Sequence, residues 1–412
     1  MRARRRVAWG LSDQILSSAS NFLIAFLAAN QLTAGDFGSF VLALAICNLV
    51  GWLARALASD PLSVAHAGDE PNSLRKAVRA SATTALLVGT LSGLVVAGIG
   101  LTLGGDLGLL FLVASLVLPG VTLQDNLRFG LLVAKRPRAM FLNDLVWLVL
   151  QVPLLVVVLV AEGSPAALLA VWGASGTICA LIGLRQAGVL PGTLGAIKPW
   201  LARHKTLWPY FAVENLVFQS TNVALIIIVS ALASLEEVGG VRAALLLFTP
   251  FTVLSRGIVS VIVPEFARRA NDARWVQRRG LVLGLMLAPL TLAWTGLGLL
   301  IPTDVGDAVL GDSWQYAEPL VLLVGLTVTV SMFLTGPQVA LRALGAARDG
   351  LTARMSSAAM VLGCAGAGAA WNGAEGALLL AVLVSPLQVG IWVWLLAKAS
   401  GKARRVDVQE IV

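Results

Sequence analysis

A chain of 412 residues that is 58% hydrophobic and 13% charged, with a mean hydropathy of +0.85, carries about half the charge expected of a soluble globular protein and has too little polar surface to face water all round. The net charge of +8 would suit a nucleic-acid partner, but the basic residues are spread over many short segments instead of forming one patch, which argues against such a partner. The three cysteines, Cys47, Cys179 and Cys364, sit inside apolar runs, so neither a disulfide framework nor a metal site is indicated.

Apolar runs of roughly 20 residues recur along the chain, each long enough to cross a hydrocarbon core of about 30 Å as a helix. Twelve are predicted, near 8–31, 37–61, 77–101, 107–133, 140–161, 165–185, 207–232, 239–263, 280–301, 317–341, 352–371 and 374–397. The fold class is therefore an all-α polytopic membrane protein. Basic clusters (Arg2 to Arg6, Arg75 to Arg79, Lys135 to Arg138, Arg185 to Lys205, Arg268 to Arg279, Arg342 to Arg354 and Lys398 to Arg405) all fall on one side. The acidic residues Asp36, Asp106, Glu162, Glu236, Glu237, Asp304, Asp307 and Asp312 fall on the other, with Arg242 the only basic residue at that edge. The basic side reads as cytoplasmic, with both termini inside.

In chain order, the first span carries Asp13, Ser17, Ser20 and Asn21 at i, i+4, i+7 and i+8, one polar stripe in its inner half, before turning apolar from Phe22 to Ala29. The stripe either faces water or serves as interhelical polar glue. Although a basic start before an apolar run resembles a signal peptide, this segment is read as a retained first helix, since its apolar part is interrupted by polar residues and has a counterpart in mid-chain. The second span reaches Arg55 shortly before Asp60-Pro61, where the guanidinium either lines a cavity or snorkels to the interface. His66, in the loop after this span, and His204 are read as solvated loop residues. The fourth span ends in Gln124-Asp125-Asn126-Leu127-Arg128, where Asp125 and Arg128 share a face and are expected to satisfy each other. Asn143, Asp144 and Trp147 follow in the fifth span, with a kink expected at Pro153.

The segment from Arg185 to Thr206 combines Pro191, Gly192, Pro199 and charge, and reads as a linker between halves. Its piece Ile197 to Lys205 is amphipathic and is expected to lie on the membrane surface. This divides the chain into an N-terminal lobe (1–190), a linker (191–206), a C-terminal lobe (207–400) and a tail (401–412).

The chain is organised by a repeat. Slid by 201 residues, Asp13 falls on Glu214, Asn21 on Asn222, Gly38 on Gly239 and Arg55 on Arg256, without a gap. Two antiparallel helices joined near Ala34 would hold Asp13 and Arg55 at one depth, and likewise Glu214 and Arg256. An acid and an arginine kept inside apolar runs are costly, and mark either a functional site or a buried ion pair that fixes helix packing. Six spans per half bring both copies into the membrane in the same direction, giving two pseudo-symmetric six-helix lobes around a central cavity, with the substrate site expected between them. Arg55 and Arg256, with Asn21 and Asn222, are the expected substrate-binding residues, since a planar guanidinium fork suits phosphate. Asp13 and Glu214 are expected either to hold those arginines when the site is empty or to take up a coupling proton or sodium ion. No catalytic residue and no cofactor is expected. A membrane glycosyltransferase or polymerase would want an extracytoplasmic domain, and no outer loop exceeds roughly 16 residues. A structural envelope component would leave the duplicated charges without a role.

These residues carry a family resemblance. Leu32 to Gly38 and Ser234 to Gly239 after spans one and seven, Gly311-Asp-Ser-Trp-Gln-Tyr-Ala317 before span ten, Ala340 to Ala346 at its end and Gly373-Ala-Glu-Gly-Ala377 before span twelve resemble the polysaccharide flippases of the multidrug/oligosaccharidyl-lipid/polysaccharide exporter superfamily. The resemblance implies alternating-access flipping of a lipid-linked, pyrophosphate-bearing oligosaccharide from the cytoplasmic to the outer leaflet of a bacterial-type plasma membrane. It also implies membrane lipids, a proton or sodium ion and polysaccharide-assembly glycosyltransferases as partners. Cavity arginines of the related lipid II flippases resemble Arg55 and Arg256, although those flippases have fourteen helices. The drug-exporting branch, whose cavities favour acidic and aromatic residues for cations, is the alternative.

Overall fold

The computed structural model describes residues 2–409 apart from 67, 68, 162, 206, 268 and 270, and describes no side-chain surroundings for 2–15, 18, 159, 210, 214–223, 256, 257, 260, 261, 264, 267, 347 and 402–409. Every regular element among the described residues is helical. In chain order these are α1 (Arg2–Gln31), α2 (Ala34–Ala65), α3 (Pro71–Leu103), α4 (Gly105–Val133), α5 (Pro137–Val160), α6 (Pro165–Ala187), the short α7 (Ile197–Arg203) and α8 (Trp208–Leu232). There follow α9 (Leu235–Leu247), α10 (Thr249–Ala267), α11 (Ala273–Gly298), α12 (Thr303–Leu310), α13 (Val321–Ala343), α14 (347–371) and α15 (374–409). All twelve expected spans are helical.

Length and apolarity alone mark eight stretches among the described residues as able to cross a membrane, or nine if α9 and the first part of α10, bent by 58°, form one broken span. Pro250, at the second position of α10, explains the bend, since it supplies no N–H to the preceding turn. One of the eight, Arg348–Gly401, is broken where Asn372 (φ −149°) and Gly373 (φ 53°) leave helical geometry. The positive φ at 373 falls in the region that favours glycine. The Ala374 N–H that opens α15 donates to the Glu237 carboxylate. Leu101, Leu116, Val160, Leu300 and Trp371 remain exposed, as side chains solvated by lipid do.

The chain divides into two compact units, one of residues 1–32 with 39–223 and the other of residues 33–38 with 224–412. In the first, α4 packs against α3 and α6, α5 against α6, and α1 against α5. Leu62, Val78, Leu123, Leu127, Ala180 and Trp200 form a core there. In the second, α13 packs against α10, α11 and the α14/α15 stretch, around Val276, Leu334, Val339, Leu341, Trp392 and Leu396.

The repeated turn is built twice from the same local chemistry. Thr33 Oγ1 accepts from the Asp36 N–H at 3.2 Å and donates to its carboxylate at 2.9 Å. At the matching positions, Ser234 Oγ accepts from the Glu237 N–H at 3.2 Å. In both, the N-cap hydroxyl accepts from the N–H three residues on and starts a helix. Within the second unit the two turns meet reciprocally: a Cβ on Gly38 would stand 1.7 Å from the Leu235 carbonyl oxygen, and one on Gly239 would stand 2.5 Å from that of Ala34. Each contact is the other's image under the 201-residue shift, so both positions require glycine for the same steric reason. Gly38→Val and Gly239→Val are each expected to cost about 1–3 kcal/mol by forcing the turns apart. Thermal unfolding of the purified protein in detergent checks this, and unchanged midpoints for both variants would contradict it.

Candidate functional site

Arg55 stands where α2 changes its winding. Residues Arg55–Ser59 form one π-helical turn, closed by the Asp60 N–H on the Arg55 carbonyl. Pro61 supplies part of the reason: an α-helix would bring its N–H to the carbonyl of Leu57, and proline has none. The Leu57 carbonyl accepts instead from Trp200 Nε1 of α7 at 2.9 Å. The next carbonyl, of Ala58, accepts from Ser81 Oγ of α3 at 3.0 Å. Asn126 Nδ2 of α4 then ties Ser59 Oγ (3.0 Å) to Ser81 Oγ (2.6 Å). A π-turn held by side chains from three neighbouring helices has its freed carbonyls satisfied away from water, as a membrane interior demands.

The Arg55 guanidinium is held by Asp125 of α4, with Nε donating to Oδ2 and Nη2 to Oδ1, both at 2.6 Å. It also lies over the Phe129 ring, 5.5 Å from the centroid. The Arg55 side chain is 35% exposed and that of Asp125 15%. Arg128 is 3.9 Å from Asp125 but 2.9 Å from Asp144 of α5, whose side chain is only 6% exposed. The expectation that Asp125 and Arg128 mainly satisfy each other is thus corrected: each has a closer partner on another helix. Behind this row, Gln124 Nε2 donates to Asn143 Oδ1 (3.0 Å) and Asp144 Oδ1 (3.1 Å). Asn143 Nδ2 donates to the Cys179 carbonyl (2.9 Å) and Gln186 Oε1 (3.0 Å) of α6. The first unit therefore contains a continuous polar layer, two arginines and two aspartates deep, with amides at its back.

Of the other expected site residues, Asn21 is exposed on α1 and donates Nδ2 to the Ser17 carbonyl one turn earlier, at 2.8 Å. Asp13 on α1, Glu214 and Asn222 on α8 and Arg256 on α10 have helical backbones, and their side chains lie outside the described residues. Arg55 thus has a carboxylate partner that the sequence did not single out for it. Sequence position gave Asp125 and Asp144 as polar residues in apolar spans, which was the available signal, but not their partners.

One further expectation is corrected here. His66 and His204 are buried, 8% and 3% exposed, and their Nε2 atoms lie 3.1 Å apart. The amphipathic piece from Ile197 buries Ile197 and Trp200 against the first unit, because Trp200 is needed at the Leu57 carbonyl, while Lys198, Ala202 and Arg203 stay exposed.

No family profile and no curated protein matches the chain in sequence. Solved structures match it over nearly its whole length. An inward-facing multidrug resistance MATE family transporter of the MOP superfamily is 13% identical, with 97% of this chain and 96% of that one covered and a TM-score of 0.68. The lipid II flippase MurJ, in an inward closed conformation, is 12% identical, with 96% and 90% covered and a TM-score of 0.70. An outward-facing MATE family transporter is 11% identical, with 98% and 96% covered and a TM-score of 0.60. The chain shares its fold with these transporters, as the resemblance of its turns led us to expect.

Removing a partner from the polar layer should cost according to burial. Asp144→Ala leaves Arg128 facing an almost closed site and is expected to cost about 3–5 kcal/mol. Asp125→Ala should cost clearly less, because Arg55 is a third exposed and water screens the charge left behind. Unfolding midpoints of the two variants in detergent check the order, and a reversed order would contradict the burial argument.

Proposed function

We propose that the protein is a membrane transporter that flips a lipid-linked, pyrophosphate-bearing oligosaccharide from the leaflet at its basic, cytoplasmic end to the opposite leaflet. The observation that carries this reading is the bidentate, part-exposed Arg55–Asp125 pair. A guanidinium edge bonded to two carboxylate oxygens presents the same fork that a phosphate takes. A phosphate oxygen pair can therefore exchange for Asp125 with no change in the donor geometry of Arg55.

The charges support such an exchange. When Arg55 turns to the headgroup, Asp125 keeps Arg128 nearby at 3.9 Å, and Arg128 keeps Asp144. Each carboxylate then keeps the Arg128 guanidinium as a neighbour, one positive charge serving two negative ones. Protonation of Asp125 would loosen Arg55 in the same direction, which gives a coupling proton a place to act. Arg256, with Glu214 and Asn222, is proposed to serve the same headgroup from the second copy of the repeat, and Asn21 to offer its carboxamide oxygen to sugar hydroxyls. Access to the two leaflets alternates in this reading. The membrane is proposed to be a bacterial-type plasma membrane, with polysaccharide-assembly glycosyltransferases supplying the substrate.

A second reading, cation-coupled export of drugs, is favoured by the same layer seen from its acidic side: Asp125 and Asp144 would attract a cation if the arginines turned away. The two readings separate on one pair of assays in proteoliposomes, flipping of a fluorescent polyprenyl-pyrophosphate oligosaccharide and efflux of a cationic dye. Arg55→Ala is expected to lower flipping by tenfold or more, equivalent to about 1.4 kcal/mol or more of lost binding to the moving headgroup. Arg55→Lys should retain part of the activity, since it keeps the charge and loses the fork. Full flipping by both Arg55→Ala and Arg256→Ala variants would overturn the anion site. Dye efflux that depends on Asp125, with no headgroup flipping, would establish the exporter.

A further inference from the structure

The two histidines of this chain, its only two, form a pair whose proton count does not close with neutral rings. His66 Nδ1 lies 2.7 Å from Asp69 Oδ2, which also accepts from Ser73 Oγ at 2.8 Å. Those hydrogen bonds, from His66 first and then Ser73, hold the Asp69 carboxyl below its ordinary pKa, so it is ionised and can only accept. His66 Nδ1 must therefore carry a hydrogen. His204 Nδ1 lies 2.9 Å from the Trp200 carbonyl oxygen, which has no hydrogen to give, so this nitrogen also carries one. Two neutral rings would then aim two lone pairs at each other across the 3.1 Å between their Nε2 atoms. That arrangement is repulsive unless a cation sits between them.

We infer that His66 and His204 bind one proton between them as a shared Nε2–H–Nε2 bridge, and that this proton site clamps α7 to the end of α2. The surroundings suit a single buried positive charge. The Trp200 ring stacks on His66 (centroids 5.7 Å apart, 19° between planes) and lies 4.2 Å from His204. Asp69, from the segment before α3, supplies the counter-charge, and Arg203 of α7 is the like charge that His204 feels. Among the nearby bases of α3, Arg75 is turned away onto the Gly188 carbonyl, and Arg79 lies beside Gly192. The clamp matters because the Trp200 ring that packs on both histidines also donates to the Leu57 carbonyl of the π-turn that begins at Arg55. Proton occupancy is thereby linked to the geometry of that turn, whatever substrate the protein carries.

The bridge is stable only while singly protonated. Burial first, and then the positive charges of His66 and Arg203, hold His204 below the ordinary imidazole pKa, outweighing the Trp200 carbonyl. A depressed pKa in the folded state means that stability present above the unfolded value is lost as pH falls through the folded one. Acidification therefore adds a second proton, sets two imidazoliums against each other and releases α7. Strong alkalinisation removes the shared proton and releases it as well.

The full chain, labelled with 15N-histidine and purified with chelator in detergent, tests this without interference from other histidines. Near neutral pH both Nδ1 atoms should carry protons. One further proton should be shared by the two Nε2 atoms. Hydrogen–deuterium exchange of residues 197–205, corrected for intrinsic rates, should rise about tenfold on acidification from about pH 7.5 to about pH 5, while α4 stays unchanged. His66→Gln, His204→Gln and the double variant should raise exchange in that segment equally. If a variant fails to accumulate, the wild-type pH series decides. The inference is overturned by two rings that titrate independently near the ordinary value, by exchange in 197–205 that ignores pH, by additive effects of the two substitutions, or by ring signals that shift when the chelator strips a bound transition metal.

Discussion

A guanidinium placed within a membrane-length helix needs a carboxylate, and the first unit of this protein is arranged around meeting that need for Arg55. Asp125 supplies it from α4 with two hydrogen bonds. The same aspartate stands within reach of Arg128, which in turn engages Asp144. In hydrocarbon the cost of an unpaired charge is several kcal/mol even after local relaxation, so these four residues constrain one another and fix how α2, α4 and α5 meet. The amides of Gln124 and Asn143 extend the constraint to α6.

The backbone at Arg55 is constrained in a related way. Proline at 61 removes a donor, the helix takes one wide turn, and the carbonyls left over are met by Trp200 and Ser81. Backbone irregularity and side-chain charge thus coincide at one level of α2. A uniform α-helix would carry the arginine in a fixed direction, whereas a π-turn offers a second winding at modest cost. That is a reasonable place for a residue proposed to exchange one bidentate partner for another.

Much of this was legible in the sequence, and what was not has a common cause. The spans could be read because hydrocarbon sets a length and tolerates few charges. The repeat could be read because Asp13 and Glu214, Asn21 and Asn222, Gly38 and Gly239, and Arg55 and Arg256 all stand at one spacing. Arg55 and Asp125 could each be picked out as expensive. Their pairing could not, since periodicity tells which residues share a face of one helix and says nothing about which helix lies opposite. The same limit hid the histidines. Each looks like a solitary loop residue, and the contact between them spans 138 positions. Pro61 is the hint of the π-turn that the sequence carries, and a proline near a helix end is too common to single one out.

The docking of α7 also restricts what may move. From His204, fixed in its pair, to Trp208, where α8 begins, the chain runs only four residues. Fully stretched, these reach about 14 Å, at no more than roughly 3.6 Å each. While the histidines hold, the first turn of α8 works on a leash of that length, whatever stroke the rest of the helix makes. A longer excursion of that first turn would require either unwinding α8 or letting α7 go, so α7 acts as its travel stop.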